Sequence, residues 1–150
     1  MGFEIERKWL PPVETVKKLI ADSNCSDIIQ GYLCNEPVIR VRKEDALYYL
    51  TYKGKGKVER EEYNLPLNRA AFEELIPKCD GRVLSKKRYK VPFDGLLIEM
   101  DVFNDRYDGL CILEVEFPDR KSSDDFKAPE WFGTEVTGKK EYYNSYLASH

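Results

Sequence analysis

Acids and bases recur along this sequence in short ordered groups whose members stand two residues apart. Glu4, Glu6 and Lys8 open the series. Arg40 with Arg42, then Lys53, Arg60 with Glu62, Lys86 with Arg88, Glu99 with Asp101, and Glu114 with Glu116 follow in order. A spacing of two puts every member of a group on one face of a β-strand. Cations of this kind bind polyphosphate oxygens, arginine with a forked geometry. Carboxylates repel phosphate and need a divalent metal between, and ligands that are all oxygen select Mg2+ or Mn2+. The chemistry open to such a set is metal-assisted work on a chain of phosphates.

Other chemistries drop out. The only histidine is His150, which removes Ser-His-Asp and Cys-His mechanisms and histidine-based zinc sites. Four cysteines, at 25, 34, 79 and 111, form no C-x-x-C pair, so a zinc knuckle or thioredoxin-like site is not expected. With 24 Lys+Arg against 27 Asp+Glu the net charge is −3, without the basic surplus of a general nucleic-acid binder. No apolar run approaches the roughly 20 residues that span a bilayer. Met1 leads straight into a charge-rich segment, so no signal peptide is read. The expectation is a cytoplasmic protein of one domain over residues 1–150, monomer or homodimer, with no nucleic-acid or membrane partner.

The elements that must position these charges are strands. Apolar and charged residues alternate near 3–9, 29–34, 38–43, 47–53, 59–65, 83–91, 96–103 and 111–117. Turn signals at Asn35-Glu36-Pro37, Gly54-Lys55-Gly56, Asp94-Gly95 and Asp105 to Gly109 separate several of them. Helical spacing marks 13–22, 68–78 behind an Asn68 N-cap, and about 138–149 behind Thr137 as its cap. Each strand alone would pass for an ordinary amphipathic sheet with its charged face in water. Yet acids and bases, instead of the usual Ser, Thr, Gln and Asn, fill the polar face of nearly every strand. Eight antiparallel strands can close on themselves. Closed with the charged faces inward, they enclose a charged lumen and turn their apolar faces out against the helices. So many charges cannot be buried unpaired, so a ligand and a metal should complete the site.

As an ordered set these residues resemble the CYTH, or triphosphate tunnel metalloenzyme, family. Glu4-Ile5-Glu6-Arg7-Lys8 is similar to its ExExK signature and Arg40-Val41-Arg42 to its R-x-R strand. Thr51-Tyr52-Lys53 before Gly54 resembles its lysine strand, Arg60-x-Glu62 its R-x-E-x-E strand, and Lys86-x-Arg88 its K-x-R pair. Glu99-x-Asp101 and Glu114-x-Glu116 resemble its two late acidic strands. The likeness runs from about residue 3 to 147. Gln30-Gly31-Tyr32-Leu33, Trp131-Phe132-Gly133 and Glu135-Val136-Thr137 add a likeness to the short bacterial group with inorganic triphosphatase activity. One departure stands on the fifth strand, where Asn64 replaces a second carboxylate.

The resemblance implies an α+β fold: a closed eight-stranded antiparallel barrel, the triphosphate tunnel, with helices packed outside and a C-terminal helix. It implies hydrolysis of tripolyphosphate to pyrophosphate and phosphate with Mg2+ or Mn2+. Arg40, Arg42, Lys53, Lys86 and Arg88 would hold the phosphates, and Lys8 a terminal phosphate or the leaving group. Glu4, Glu6, Glu99, Asp101, Glu114 and Glu116 would hold metal. Glu4, Glu6, Lys8 and Glu62 would carry the catalytic step. Alternatives are a class IV-type adenylate cyclase, a thiamine triphosphatase and a non-catalytic polyphosphate-binding module. Arg60 reads equally as a lumen ligand or as the partner of a lumen carboxylate. Lys55 and Lys57 read as solvated loop charges, Arg7 and Arg82 as surface, Trp9 and Trp131 as packing, and the C-terminal helix as packing and a plug for the tunnel.

Overall fold

The structure is a computed structural model describing residues 2–150. Eight strands build the wall: β1 (Phe3–Leu10), β2 (Cys25–Asn35), β3 (Val38–Glu44), β4 (Leu47–Lys53), β5 (Glu59–Pro66), β6 (Val83–Phe93), β7 (Leu96–Phe103) and β8 (Cys111–Glu116). They run in the order β5-β4-β3-β2-β6-β7-β8-β1, and β1 pairs back onto β5 to close an antiparallel barrel. Closure leaves no long free edge. A short ninth strand, β9 (Thr134–Glu135), pairs with the end of β1.

β9 is there because β5 covers only part of β1. Phe3, Glu4 and Ile5 pair with Glu61, Arg60 and Glu59. Beyond them the backbone groups of β1 need other partners. Glu6 N–H donates to Val58 O at 3.0 Å, Lys8 N–H to Thr137 Oγ1 at 2.9 Å, and Val136 N–H to Lys8 O at 2.9 Å. The C-terminal segment thus completes the wall beside the strand that carries Glu4, Glu6 and Lys8.

The apolar strand faces point outward. Ile5, Trp9, Ile98, Met100, Leu113 and Val115 pack with Phe117, Phe132 and Leu19 of α1 (Val13–Ala21) into the main core. Val41 packs outward on Phe72 of α2 (Arg69–Leu75) and on Cys79. The Asn68 side chain accepts Ala71 N–H and caps α2 as expected. Gly31 lets that layer approach, since a Cβ there would lie 2.7 Å from Cys79 Sγ and Ile76 Cδ1.

Several expectations need correction. Arg7 is not a free surface charge: it donates to Glu135 and to the carbonyls of Ser123 and Phe126. Arg82 donates to the carbonyls of Tyr32 and Leu33, pinning β2. The packing expected of the tryptophans is met: Trp9 is buried, and Trp131 packs on Phe93 and Phe132 while staying 39% exposed. A short helix not anticipated, α3 (Arg120–Asp125), is capped by Asp119 accepting Ser122 N–H. The tail is not one helix from 138. Gly138 takes φ +77, a 3-10 turn spans Lys140–Tyr142, and α4 covers only Asn144–Ser149. Thr137 caps nothing; its hydroxyl serves β1 and Glu135.

The lumen is not charged throughout. Tyr32, Val38, Leu84, Phe103 and Ile112 pack with Leu147 and Ala148 of α4. On their strands these residues share the inward parity of Gln30, Arg40, Lys86, Asp101 and Glu114. They form an apolar end to the lumen, and α4 is seated on it as a plug. Arg106 Nη2 donates to the carbonyls of Leu147 and Ala148, both at 3.0 Å, and so holds the helix end.

Candidate active site

Above the plug lies a cavity of about 250 Å³ lined by seven basic and six acidic side chains. It brings together every residue singled out from the sequence except Asp101. Glu4, Glu6, Lys8, Arg40, Arg42, Lys53, Arg60, Glu62, Lys86, Arg88, Glu99, Glu114 and Glu116 all line it. Its two signs are segregated, and register explains how.

On the basic wall the neighbours are neutral. Arg40 lies between Tyr32 and Thr51, and Arg42 between Gln30 and Tyr49. Arg40 Nη2 donates to Thr51 Oγ1 at 3.1 Å, while Arg40 Nε is buried without a partner. Arg42 Nε donates to Gln30 Oε1 at 2.9 Å. Among the described residues neither guanidinium is in an ion pair. Burial, and the charges of Arg40 and Arg88, lower the Arg42 pKa to about 10. Two guanidiniums without ion pairs, Arg40 buried and Arg42 half-buried, form an anion site.

On the acidic wall like charges face each other. Glu6 is directly opposite Glu116, and Glu114 directly opposite Glu99. Such pairing is unfavourable by itself. Burial raises the Glu6 carboxyl, and Glu114 and Glu4 raise it further. Glu99 is raised by burial as well. Glu116, at the open side, is pushed up to about 7 by partial burial and by Glu4, Glu62, Glu6 and Glu99. An all-oxygen donor set with surplus negative charge fits a hard divalent cation. Among the described residues no three acidic groups converge tightly enough to chelate one alone. Phosphate oxygens and water would have to supply the rest of the coordination shell.

Ion pairs join the walls. Lys8 Nζ is 3.3 Å from Glu114 and 4.0 Å from Glu6. Burial works to raise Glu114, but Lys8 and Arg88 outweigh it and hold the carboxyl down at about 2. Lys53 Nζ reaches Glu4 at 2.8 Å and Glu62 at 3.4 Å, and Arg60 Nε reaches Glu4 at 3.3 Å. Arg60 is therefore both a lining residue and a carboxylate's partner. Asn64 Oδ1 accepts from Thr51 at 2.6 Å, so it serves the arginine wall and not the acidic one.

Asp101 lies deeper. It is 1% exposed, Arg88 grips both of its oxygens, and Lys86 Nζ is 2.7 Å from Oδ2. Burial works against its ionised form, yet these two cations hold its pKa well below the usual carboxylate range. Its oxygens are committed to cations, and it stands apart from the carboxylates that face the cavity.

The sequence pattern left several residues of the site unmarked. Gln30 and Thr51 orient the arginines, and their inward parity was the available signal. Tyr143, Asn144 and Ser145 reach the cavity from the plug, where no strand alternation exists to flag them. Asn144 Oδ1 accepts from Lys86 Nζ at 2.8 Å and from Gln30 Nε2 at 3.3 Å.

The CYTH domain matches residues 2–146. The inorganic triphosphatase of Nitrosomonas europaea is 38% identical over 150 residues, covering 97% of this chain and 96% of its own. The inorganic triphosphatase of Acetivibrio thermocellus is 35% identical over 154 residues, covering 100% of this chain and 96% of its own. Among solved structures, the inorganic triphosphatase NE1496 superposes with a TM-score of 0.68 at 34% identity, over 98% of this chain and 95% of that one. The PH1012 protein from Pyrococcus horikoshii shares the fold, with a TM-score of 0.61 at 21% identity over 81% of this chain and 82% of its own.

Proposed function

The chain belongs to the CYTH domain family and is a triphosphatase, and from that premise we propose that it hydrolyses inorganic tripolyphosphate to pyrophosphate and phosphate with Mg2+ or Mn2+. One observation carries the choice of substrate. Arg40, buried, and Arg42, half-buried, are cations without carboxylate partners, set in a cavity of about 250 Å³, below the roughly 300–1,000 Å³ of sites for drug-sized ligands. A bare phosphate chain supplies the missing anions without a bulky organic cap.

In this reading Arg40 and Arg42 grip the chain, and Lys86 and Arg88 extend the grip toward the plug. Charge that develops as a P–O bond breaks falls on these fixed donors. Lys8, between the two walls, orients a terminal phosphate or the leaving group. Glu4, Glu6, Glu99, Glu114 and Glu116 would hold the metal, while Asp101 positions Lys86 and Arg88. When bound, the metal supplies charge neutralisation across the phosphates and a more acidic water. Lys53, paired with Glu4 and Glu62, orients them toward the attacking water. Its four free cysteines suit a reducing, cytoplasmic setting.

The test is phosphate release from tripolyphosphate, ATP, thiamine triphosphate and pyrophosphate, each with and without Mg2+ or Mn2+. Metal-dependent release from tripolyphosphate above the rest is expected. Equal release without metal, or cyclic AMP formed from ATP, would overturn the reading.

A further inference from the structure

The plug has a thin place. Most of α4 is backed by apolar packing, but Tyr143, at its start, is not. Tyr143 lines the charged cavity and also a second groove of about 1020 Å³, which lies between the β2–β3 hairpin, the β4–β5 loop and the C-terminal segment. Among the described residues it is the only aromatic side chain that lines both cavities.

The ring is held in place. Lys8 Nζ lies 5.5 Å and the Arg60 guanidinium 5.6 Å from its centroid, a distance at which cations are attracted to the ring face. Tyr143 N–H donates to Lys140 O at 3.0 Å, and its carbonyl accepts Leu147 N–H at 2.9 Å. The next residue, Asn144, is tied to Lys86. Tyr143 is thus a fixed partition and not a swinging lid. The faces of such a ring, which attract cations, carry the negative part of its quadrupole, which repels a phosphate.

The groove behind it suits an anion. Lys55, Lys57 and Lys140 line it, facing Glu36 and Glu61, and none of the three lysines is in an ion pair among the described residues. We propose that Tyr143 is a specificity-determining residue that stops the phosphate chain at three phosphates, and that the groove beyond is a latent subsite for longer linear polyphosphate. The inference rests on the reading of the cavity as a tripolyphosphate site. In the reaction gained, water adds to a terminal phosphorus of tetrapolyphosphate and the bridging P–O bond breaks. The electron pair leaves with tripolyphosphate, one proton of the water stays on the new phosphate and the other passes to solvent, and the products are tripolyphosphate and hydrogen phosphate.

The experiment compares initial rates on tripolyphosphate, tetrapolyphosphate and ATP for wild type, Tyr143→Ala and Tyr143→Phe, with Tyr143→Ser in reserve if alanine does not fold. The tetrapolyphosphate-to-tripolyphosphate ratio of kcat/KM should rise about tenfold or more in Tyr143→Ala. It should stay near wild type in Tyr143→Phe, which keeps the ring. Adding Lys55→Glu and Lys140→Glu to Tyr143→Ala should take the gain away. An unchanged ratio in a folded Tyr143→Ala, or a gain with ATP alone, overturns the proposal. A wild type inactive on tripolyphosphate sinks the activity reading instead. Calorimetric binding of tetrapolyphosphate to Tyr143→Ala against wild type would then still decide the role of Tyr143, tighter binding supporting it and equal binding overturning it.

Discussion

Glu6 of β1 and Glu116 of β8 stand directly opposite each other across the barrel wall. Neither has a cation of its own closer than Lys8, which is 4.0 Å from Glu6. The folded protein without metal holds them together at a cost. Glu116→Gln should therefore raise the melting temperature of the metal-free protein. The gain should sit near the low end of the ~0.2–1 kcal/mol for a cross-strand pair, because Glu116 is exposed on the open side. The same variant should respond less to Mg2+ in a melting assay, since a ligand that binds only the folded state stabilises it in proportion to its affinity. A metal-free Glu116→Gln protein that melts lower than wild type would contradict the argument.

Arg42 inverts that logic on the other wall. Its Nε donates to Gln30, and among the described residues no carboxylate is within ion-pair distance of it. Arg42→Gln removes a half-buried charge that has no ion pair, so urea unfolding should show stability unchanged or increased. Tripolyphosphate kcat/KM should fall by about 10- to 100-fold, from the ~1.5–3 kcal/mol of a hydrogen bond to a charged group. Gln30→Leu should lower the same parameter by less, and mainly through KM, because it frees the guanidinium without deleting it. Equal losses of stability and activity in Arg42→Gln would mark it as a structural cation.

Much of the barrel was legible because period two is a backbone property. Once Glu4, Glu6 and Lys8 fall on one side of β1, their inward direction follows from closure. Depth along the strand was not legible. Glu99 and Asp101 have the same spacing as Glu114 and Glu116, yet Asp101 is sealed between Lys86 and Arg88 while Glu99 lines the cavity. The apolar end of the lumen left a trace that alternation alone passes over. Leu84 and Phe103 share the face of Lys86 and Asp101, and they require a cover such as Leu147. The break at Gly138 was hidden by helical spacing of Tyr142, Tyr143, Tyr146 and Leu147, although its φ of +77 suits glycine and ends any continuous helix there.

Asp101 separates structure from catalysis. Arg88 closes on both carboxylate oxygens at 2.8 and 2.9 Å, with Lys86 at 2.7 Å. Asp101→Asn would leave two buried cations short of a counter-charge. Breaking a buried pair in this way costs ~3–5 kcal/mol. Urea unfolding should show a loss of that size, larger than for Glu99→Gln, whose carboxylate is 27% exposed and 3.5 Å from Arg88. A loss for Asp101→Asn no greater than for Glu99→Gln would return Asp101 to the metal-facing set.

The clasp between Arg7 and Glu135 gives a pH test away from the cavity. Arg7 Nη2 lies 2.8 Å from Glu135 Oε1, and the pair fastens the C-terminal segment to β1. The hydrogen bond from Arg7, helped by one from Thr137, holds the Glu135 carboxyl below its ordinary value against the opposing effect of burial. A carboxyl depressed in the folded state adds stability above its unfolded pKa of about 4.3, and that stability is lost as pH falls through the folded value. With Glu135 39% exposed, the contribution is ~0.2–1 kcal/mol. Urea unfolding of wild type and Glu135→Gln should therefore differ by that amount at pH 7, and the two curves should converge as the pH is taken below the ordinary carboxylate range. A difference that grows toward acid would show that Glu135 is not the group holding the segment. Because Val136 and Thr137 donate to and accept from the backbone of Lys8, the same variant should also weaken tripolyphosphate turnover modestly at pH 7, through the wall and not through the phosphate contacts.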